Sequence, residues 1–519
     1  MMNFSNLSFF NDKYVKGSDG SELTDSSCGG VFAYSVLAGM DIVDSSKLAL
    51  SGHSMGTWSS WSVAAAYAGT DIAPKATVLQ CGELFRDSAY DSANIEFKNV
   101  LLLQAKYDEF SYFRDYQPNV TDELLTTPLR LEFLGCKAED AKWNTTYGTF
   151  SGGTARRIEL LKTNHRLTTH HRHGLATALE WFDDAIGLDT SVHGYADNAA
   201  MVKEYLVLFA MLFVLAAMFP FMELLLGTKF FGYVSQPLPP KEGIKKKGAW
   251  ARGAVITILI AGLSFPFMTQ LGHGLLPLPE GIFRMTIGNG FVSWYLLLIL
   301  VMLFTTWLAK RKAKKNGTTL TLHDMGLSSA EKPNKVDWKL YGHAALLVLC
   351  MVGMVYVVNL FFEGAFDLDL RFIWPFFKSF TWARFGQFCV YILIFAFFYL
   401  MNNAKIMGGM RCEATYEPGV RGFLKNWWRN FLCMAGGLLL VTLIEYVPFF
   451  LGIGPGADLL FGSTFGGPFM SLLILFVPQV LFFSFSCTYC YRRTGSACTG
   501  AFTAAAIACW IVTGGSAML

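Results

Sequence analysis

Eight apolar runs, each 17 to 23 residues long, constrain this 519-residue chain more than any other feature. They fall at 205–226, 254–271, 291–309, 341–362, 385–401, 431–453, 468–489 and 497–517. At about 1.5 Å rise per residue, such runs cross a hydrocarbon core of about 30 Å. A crossing segment must satisfy its backbone internally, so the runs predict helices. The second and fifth are short, and the eighth is rich in Ala, Gly and Thr. With 53% hydrophobic and 15% aromatic residues the composition excludes a disordered chain or a small disulfide scaffold. Residues 201–519 are therefore expected to form an all-α polytopic membrane domain of about eight transmembrane helices in the lipid bilayer.

Charge divides the chain at the same place. Residues 1–200 hold 16 Lys/Arg against 25 Asp/Glu, and the remainder holds 26 against 14. The basic residues of the second part lie in short loops, a pattern of membrane orientation that gives no support to a nucleic-acid partner. The loops after helices one, three, five and seven carry 6, 8, 5 and 2 Lys/Arg, whereas those after two, four and six carry 1, 3 and 0. The odd-numbered loops are thus expected in the cytoplasm, which puts the acidic domain 1–200 on the extracytoplasmic side of the cell membrane. The run Lys310, Arg311, Lys312, Lys314, Lys315 reads as a stop-transfer cluster.

Two acidic residues stand in or near these helices. Glu223 reads as snorkelling at a cytoplasmic end; Glu445 is deeper, and either a function or a structural hydrogen bond would account for it. Phe265-Pro266-Phe267 followed by Gly290-Phe291 faintly parallels Val447-Pro448-Phe449 followed by Pro468-Phe469, an arrangement expected of two parallel four-helix halves. Eleven cysteines, including Cys487-x-x-Cys490, suggest no disulfide framework.

The acidic domain carries the chemistry. Lys47 to Ser51 reads as a strand and Trp58 to Ala68 as a helix, with Gly52-His53-Ser54-Met55-Gly56 between them. G-x-S-x-G in a strand–turn–helix setting exposes the Ser54 hydroxyl on a strained turn, and flanking glycines remove side chains that would clash. The Met55 N–H at the helix start can then stabilise an oxyanion. Asn99 to Ala105 reads as a buried parallel strand, with Asp108 just past it and Glu109 expected to point away. Ala155 to Leu161 reads as the next strand, and His165 is the first histidine beyond it, before an amphipathic helix from Gly174 to Ile186. His170, His171 and His173 crowd behind, but no Cys or acidic residue has ligand spacing to them, so neither a metal nor another cofactor is expected.

Val43-Asp44, the motif Gly52 to Gly56, Asp108, the segment Gly153 to Arg157, and His165 sixteen residues before Trp181 together resemble the α/β-hydrolase superfamily. The resemblance covers about residues 30–190 and is to small, lidless members similar to dienelactone hydrolases, cutinase-like esterases and prolyl-oligopeptidase-type catalytic domains. It implies an α/β fold with a parallel sheet in which Ser54 is nucleophile, His165 general base and Asp108 its orienting acid. A small-molecule ester or peptide substrate would react through an acyl-enzyme. Such a sheet ordinarily has about four strands before its nucleophile, yet only 46 residues precede Lys47. A longer reading frame is therefore expected to supply an export segment, the front strands and a second oxyanion donor. The competing reading is a multi-pass transporter or sensor with a degenerate hydrolase-like outer binding domain. Oligomeric state is not legible in the sequence.

Overall fold

The computed structural model describes residues 14–16, 22–24, 27, 29–82, 97–188, 199–276, 278–373, 375–462 and 468–518. Most of the opening segment, on which the expectation about front strands and an export signal bears, lies outside the described residues. Two compact units divide the chain. Met1–Lys203 with Glu445–Ser471 form the first, and Glu204–Ile444 with Leu472–Met518 the second.

In chain order the first unit has strands β1 (Tyr14–Lys16) and β2 (Glu22–Thr24), helix α1 (Gly30–Ala38), β3 (Leu50–His53), α2 (Met55–Tyr67), β4 (Thr77–Gln80) and β5 (Val100–Tyr107). Short helices α3 (Val120–Glu123) and α4 (Pro128–Leu134) precede β6 (Arg156–Asn164) and α5 (Arg172–Ile186). β1 and β2 form a separate antiparallel pair, and the main sheet has the order β3-β4-β5-β6 with every strand parallel. Leu50 is in register with Thr77, Thr77 with Val100, and Val100 with Arg156.

The sheet is covered on both faces, which is why β5 reads as an unbroken apolar run rather than an alternating one. Side chains alternate across a strand. Leu79, Val100, Leu102 and Ile158 accordingly pack with Trp61, Leu125 and Leu129 on one face. Val78, Leu101, Leu103 and Leu161 pack with Ala178 and Trp181 on the other. The Trp181 indole N–H donates to the Asn99 carbonyl at 2.8 Å, pinning α5 beside the start of β5. All four strands then run toward one edge. Ser54, Asp108 and His165 follow the C-terminal ends of β3, β5 and β6, where open parallel sheets gather their functional groups.

The expected elements are present with shifted limits. Ser45–Lys47 is a 3-10 turn, because Asp44 accepts the Ser46 N–H and starts it, so the strand begins at Leu50 rather than Lys47. The helix after the turn begins at Met55, against Ser54 itself.

The second unit is helical. Among the described residues eight helices are long and apolar enough to cross a membrane, and the chain is a multi-pass membrane protein by this measure. They are α6 (Ala199–Leu226), α7 (Lys247–Gln270), α8 (Thr286–Lys315), α9 (Trp338–Phe366), α10 (Trp382–Asn403), α11 (Gly419–Phe450), then, after the short α12 (Gly456–Phe461), α13 (Pro468–Thr494) and α14 (Ala497–Gly515). Several are longer than the apolar runs, since polar ends continue a helix into the interface; the Lys310–Lys315 cluster is the last turn and a half of α8. Pro266 and Pro448 both lie inside helices. The weakly apolar α14 packs against α9 and α10 and is almost wholly buried. Its small residues let neighbours approach closely: a Cβ on Gly500 would stand 2.7 Å from the Cys487 Cα. Glu223 is ion-paired with Arg493, Oε2 to Nε 2.7 Å, and accepts from the Tyr489 hydroxyl. Cys487 and Cys490 are free buried thiols.

Residues 445–471, read from sequence as membrane helix and loop, belong to the first unit. Arg114 reaches Asp458 at 3.0 Å, and Asn164 donates to the Tyr446 hydroxyl at 3.1 Å. Glu445 is fully buried and accepts the Ala457 N–H at 2.8 Å, so one of its oxygens has the structural role weighed above.

Candidate active site

Ser54 sits between β3 and α2 with φ 55° and ψ −123°, a backbone conformation that a non-glycine residue adopts only when its surroundings impose it. The imposition is visible. Ser54 N–H donates to the Gln80 carbonyl at 3.0 Å, the Thr57 hydroxyl and N–H both bond back to the Ser54 carbonyl, and α2 leaves at once. A Cβ on Gly52 would run into the Gly56 carbonyl and approach Ser60 Oγ at 2.6 Å, so Gly52 is a steric requirement of the turn. Gly56 is not: a Cβ there would meet nothing within 4 Å. Only the first of the two flanking glycines removes a clash. Met55, the first residue of α2, has an N–H with no intrahelical partner, as the first turn of any helix does, so that N–H can donate to a group bound beside Ser54.

Asp108 and His165 are brought together. His165 Nδ1 lies 3.0 Å from Asp108 Oδ2 and 3.1 Å from Oδ1, and Oδ1 also accepts the Phe110 N–H at 3.0 Å. Both side chains are completely buried. An ionised carboxylate can only accept, so the proton is on Nδ1 and the lone pair on Nε2. The ring is held by Phe110 at 4.5 Å between centroids, Phe113 at 5.1 Å and His53 at 4.9 Å. His165 Nε2 is buried without a hydrogen-bond partner among the described residues. No hydrogen bond joins it to Ser54.

The three histidines behind His165 have other work. His173 pairs with Glu159 at 2.7 Å, His171 caps α5 by accepting the Gly174 N–H, and His170 contacts the Thr169 hydroxyl at 2.8 Å.

Four residues of the site escaped the sequence reading. Glu109 does not point away into solvent: it is buried, its Oε2 accepts the His165 N–H at 2.9 Å, and its Oε1 accepts from the Tyr446 hydroxyl. His53, inside the turn motif, lies with Nε2 at 2.8 Å from the His165 carbonyl. Cys81 ends β4 with Sγ 2.9 Å from the Thr168 hydroxyl. Tyr446 comes from 282 residues beyond Asn164, a separation no local pattern reveals. For Cys81 a signal existed, since it follows a strand at the same sheet edge. Ring nitrogens of His53 and His165 and the Cys81 Sγ all lie within 4.8 Å of one another. The expectation of no metal considered only neighbours in sequence, and the fold supplies a cysteine that spacing could not.

Burial sets the electrostatics. It pushes the His53 imidazole down to about 3, with help from His165, so that His53 is neutral. Burial and then the charge of Asp108 push Glu109 up to about 7. Around Glu109 stand Asp108, the His165 N–H, Arg114, Arg166, Glu445 and the Tyr446 hydroxyl. A carboxyl near 4.5 unfolded and near 7 folded binds its proton more tightly in the folded state. Its contribution is complete below about 4.5 and is lost as pH rises through 7. Glu109→Gln, which cannot ionise, should therefore gain on the wild type in thermal midpoint, by a few degrees, between pH 5 and pH 8. Parallel midpoint curves in detergent solution would mean that Glu109 is ionised throughout.

No protein-family model, no curated protein and no solved structure matches the chain.

Proposed function

We propose that the chain is a membrane-bound serine hydrolase whose first unit is an α/β-hydrolase-type catalytic domain. The observation that carries the reading is the Asp108–His165 pair with its free Nε2, held at the sheet edge where Ser54 occupies a strained turn. Ser54 attacks the carbonyl carbon of an ester or amide while His165 Nε2 takes the hydroxyl proton. Asp108 stabilises the imidazolium and fixes its tautomer. The Met55 N–H stabilises the oxyanion, the tetrahedral intermediate collapses with the proton passing from Nε2 to the leaving group, and water releases the acyl group by the same route. The loop charges support a position of this unit outside the cytoplasm.

A membrane-impermeant fluorophosphonate tests reaction and side together. Intact cells should show the chain labelled, and Ser54→Ala should abolish labelling. Labelling that survives the substitution overturns the hydrolase reading. Labelling of the wild type only after lysis overturns its placement on the outer side.

A second reading, transporter or sensor, has one observation in its favour. The helical unit has a partly open cavity of about 90 Å³ lined by Trp294, Tyr295, Phe398, Lys405 and Gln479 among others. Lys405 lies just past the end of α10, and a cation that lines a cavity beside membrane helices is a candidate functional position. Complete inertness of Ser54 toward the probe in lysed cells would favour this reading.

A further inference from the structure

Beside the proposed triad the fold assembles a donor set that hydrolysis does not use. His165 and His53 each spend one ring nitrogen on an oxygen: Nδ1 of His165 on Asp108 at 3.0 Å, and Nε2 of His53 on the His165 carbonyl at 2.8 Å. A nitrogen donating to a carboxylate or a carbonyl carries the proton, so the lone pairs are on His165 Nε2 and His53 Nδ1. This is how metal-binding imidazoles are oriented, the other nitrogen held by a carboxylate or backbone carbonyl. The third donor, Cys81 Sγ, lies within 4.8 Å of a nitrogen of each ring, with the Thr168 hydroxyl 2.9 Å from it. His165 Nε2 is fully buried and has no hydrogen-bond partner among the described residues, so one member of the cluster carries a buried nitrogen that no described residue satisfies.

Two imidazoles and a thiolate suit a borderline-soft divalent ion. Zn²⁺ takes nitrogen at about 2.0–2.1 Å and sulfur at about 2.3 Å in tetrahedral geometry, and three protein ligands leave a fourth position open. Tetrahedral chords of that size are about 3.5 Å, so side-chain movements on the order of 1 Å close the set. His53 is the more exposed of the two rings, so its side chain is the one with room to make such a movement. Calcium and magnesium, which require oxygen donors, are excluded by the same set.

We propose that His53, Cys81 and His165 form a binding site for Zn²⁺, and that the bound ion inhibits the hydrolase by occupying the His165 nitrogen that would take the Ser54 proton. The inhibitory half rests on the serine-hydrolase reading; the binding half does not. On binding, the Cys81 thiol gives its proton to solvent and the sulfur forms the bond to zinc. Asp108 remains on Nδ1, so one carboxylate serves the base in one state and the metal ligand in the other.

The experiment uses the full chain in detergent after chelator treatment. Zn²⁺ titration by competition with a chromophoric chelator should give one ion per chain, and Cys81→Ser and His53→Gln should each weaken binding at least tenfold. Should Cys81→Ser fail to fold, Co²⁺ added to the wild type supplies the second measurement, a thiolate-to-cobalt charge-transfer absorption. Fluorophosphonate labelling at Ser54 should be blocked by Zn²⁺ and restored by chelator. In each variant, compared with its own zinc-free level, zinc sensitivity should fall with affinity. Absence of stoichiometric Zn²⁺ and of the cobalt band, with Ser54 still labelled, overturns the site and leaves the hydrolase reading intact. Stoichiometric zinc with a zinc-free Ser54 that never reacts overturns the hydrolase reading and leaves the site. Zinc bound while Ser54 labels at the zinc-free rate overturns the inhibition.

Discussion

His165→Ala is expected to lower turnover of any ester or aminoacyl amide that the chain accepts by about 10³-fold or more, the usual cost of losing a triad base. The same change at His170, His171 or His173 should leave turnover within a few-fold, because their partners are Thr169, an α5 backbone N–H and Glu159 rather than the reacting atoms. A chromogenic panel run on the four variants separates them. If His170→Ala is the severe one, the base has been assigned to the wrong histidine, and the Asp108 contact would be structural.

Asp108→Asn should cost on the order of 10⁴, the largest effect that keeps the side chain's shape. An amide can turn its NH₂ toward Nδ1, which moves the imidazole proton to Nε2 and leaves no lone pair for the Ser54 proton. Asp108 is buried and also accepts the Phe110 N–H, so the variant's thermal midpoint should be measured alongside its turnover. Turnover within tenfold of wild type in a folded variant would show that the aromatic cage of Phe110 and Phe113 orients the ring unaided.

The parts of this site that the sequence reveals are those built by local chemistry. Strand, turn and helix around Ser54 announce themselves because a φ of 55° needs glycine beside it, and Asp108 follows a strand whose apolar run is unmistakable, whereas the strand before His165 mixes Ile158, Leu160 and Leu161 with charged residues. The eight membrane helices were legible for a similar reason: hydrocarbon thickness imposes a length that loops cannot imitate. Legibility fails where a contact spans the chain. Glu109 looked like a spare carboxylate until Tyr446 and the His165 N–H were seen to share it. The strand before Cys81 places it at the sheet edge, but not beside His53 and His165, which arrive from two other strands. The dispensable Gly56 shows the converse, a motif position whose steric reason is absent here.

The inclusion of Glu445–Ser471 in the first unit has a consequence for synthesis. At typical elongation rates of about 5–20 residues per second, the stretch from Glu204 to Ile444 occupies the ribosome for roughly 10–50 s after Lys203 has emerged. Throughout that interval Arg114 waits for Asp458, and Glu109 and Asn164 wait for Tyr446. Glu109 and Asn164, which flank the His165 backbone, therefore gain Tyr446 only after five helices and most of a sixth have been made, so a ribosome stalled among the early helices releases a sheet in which both still lack that partner.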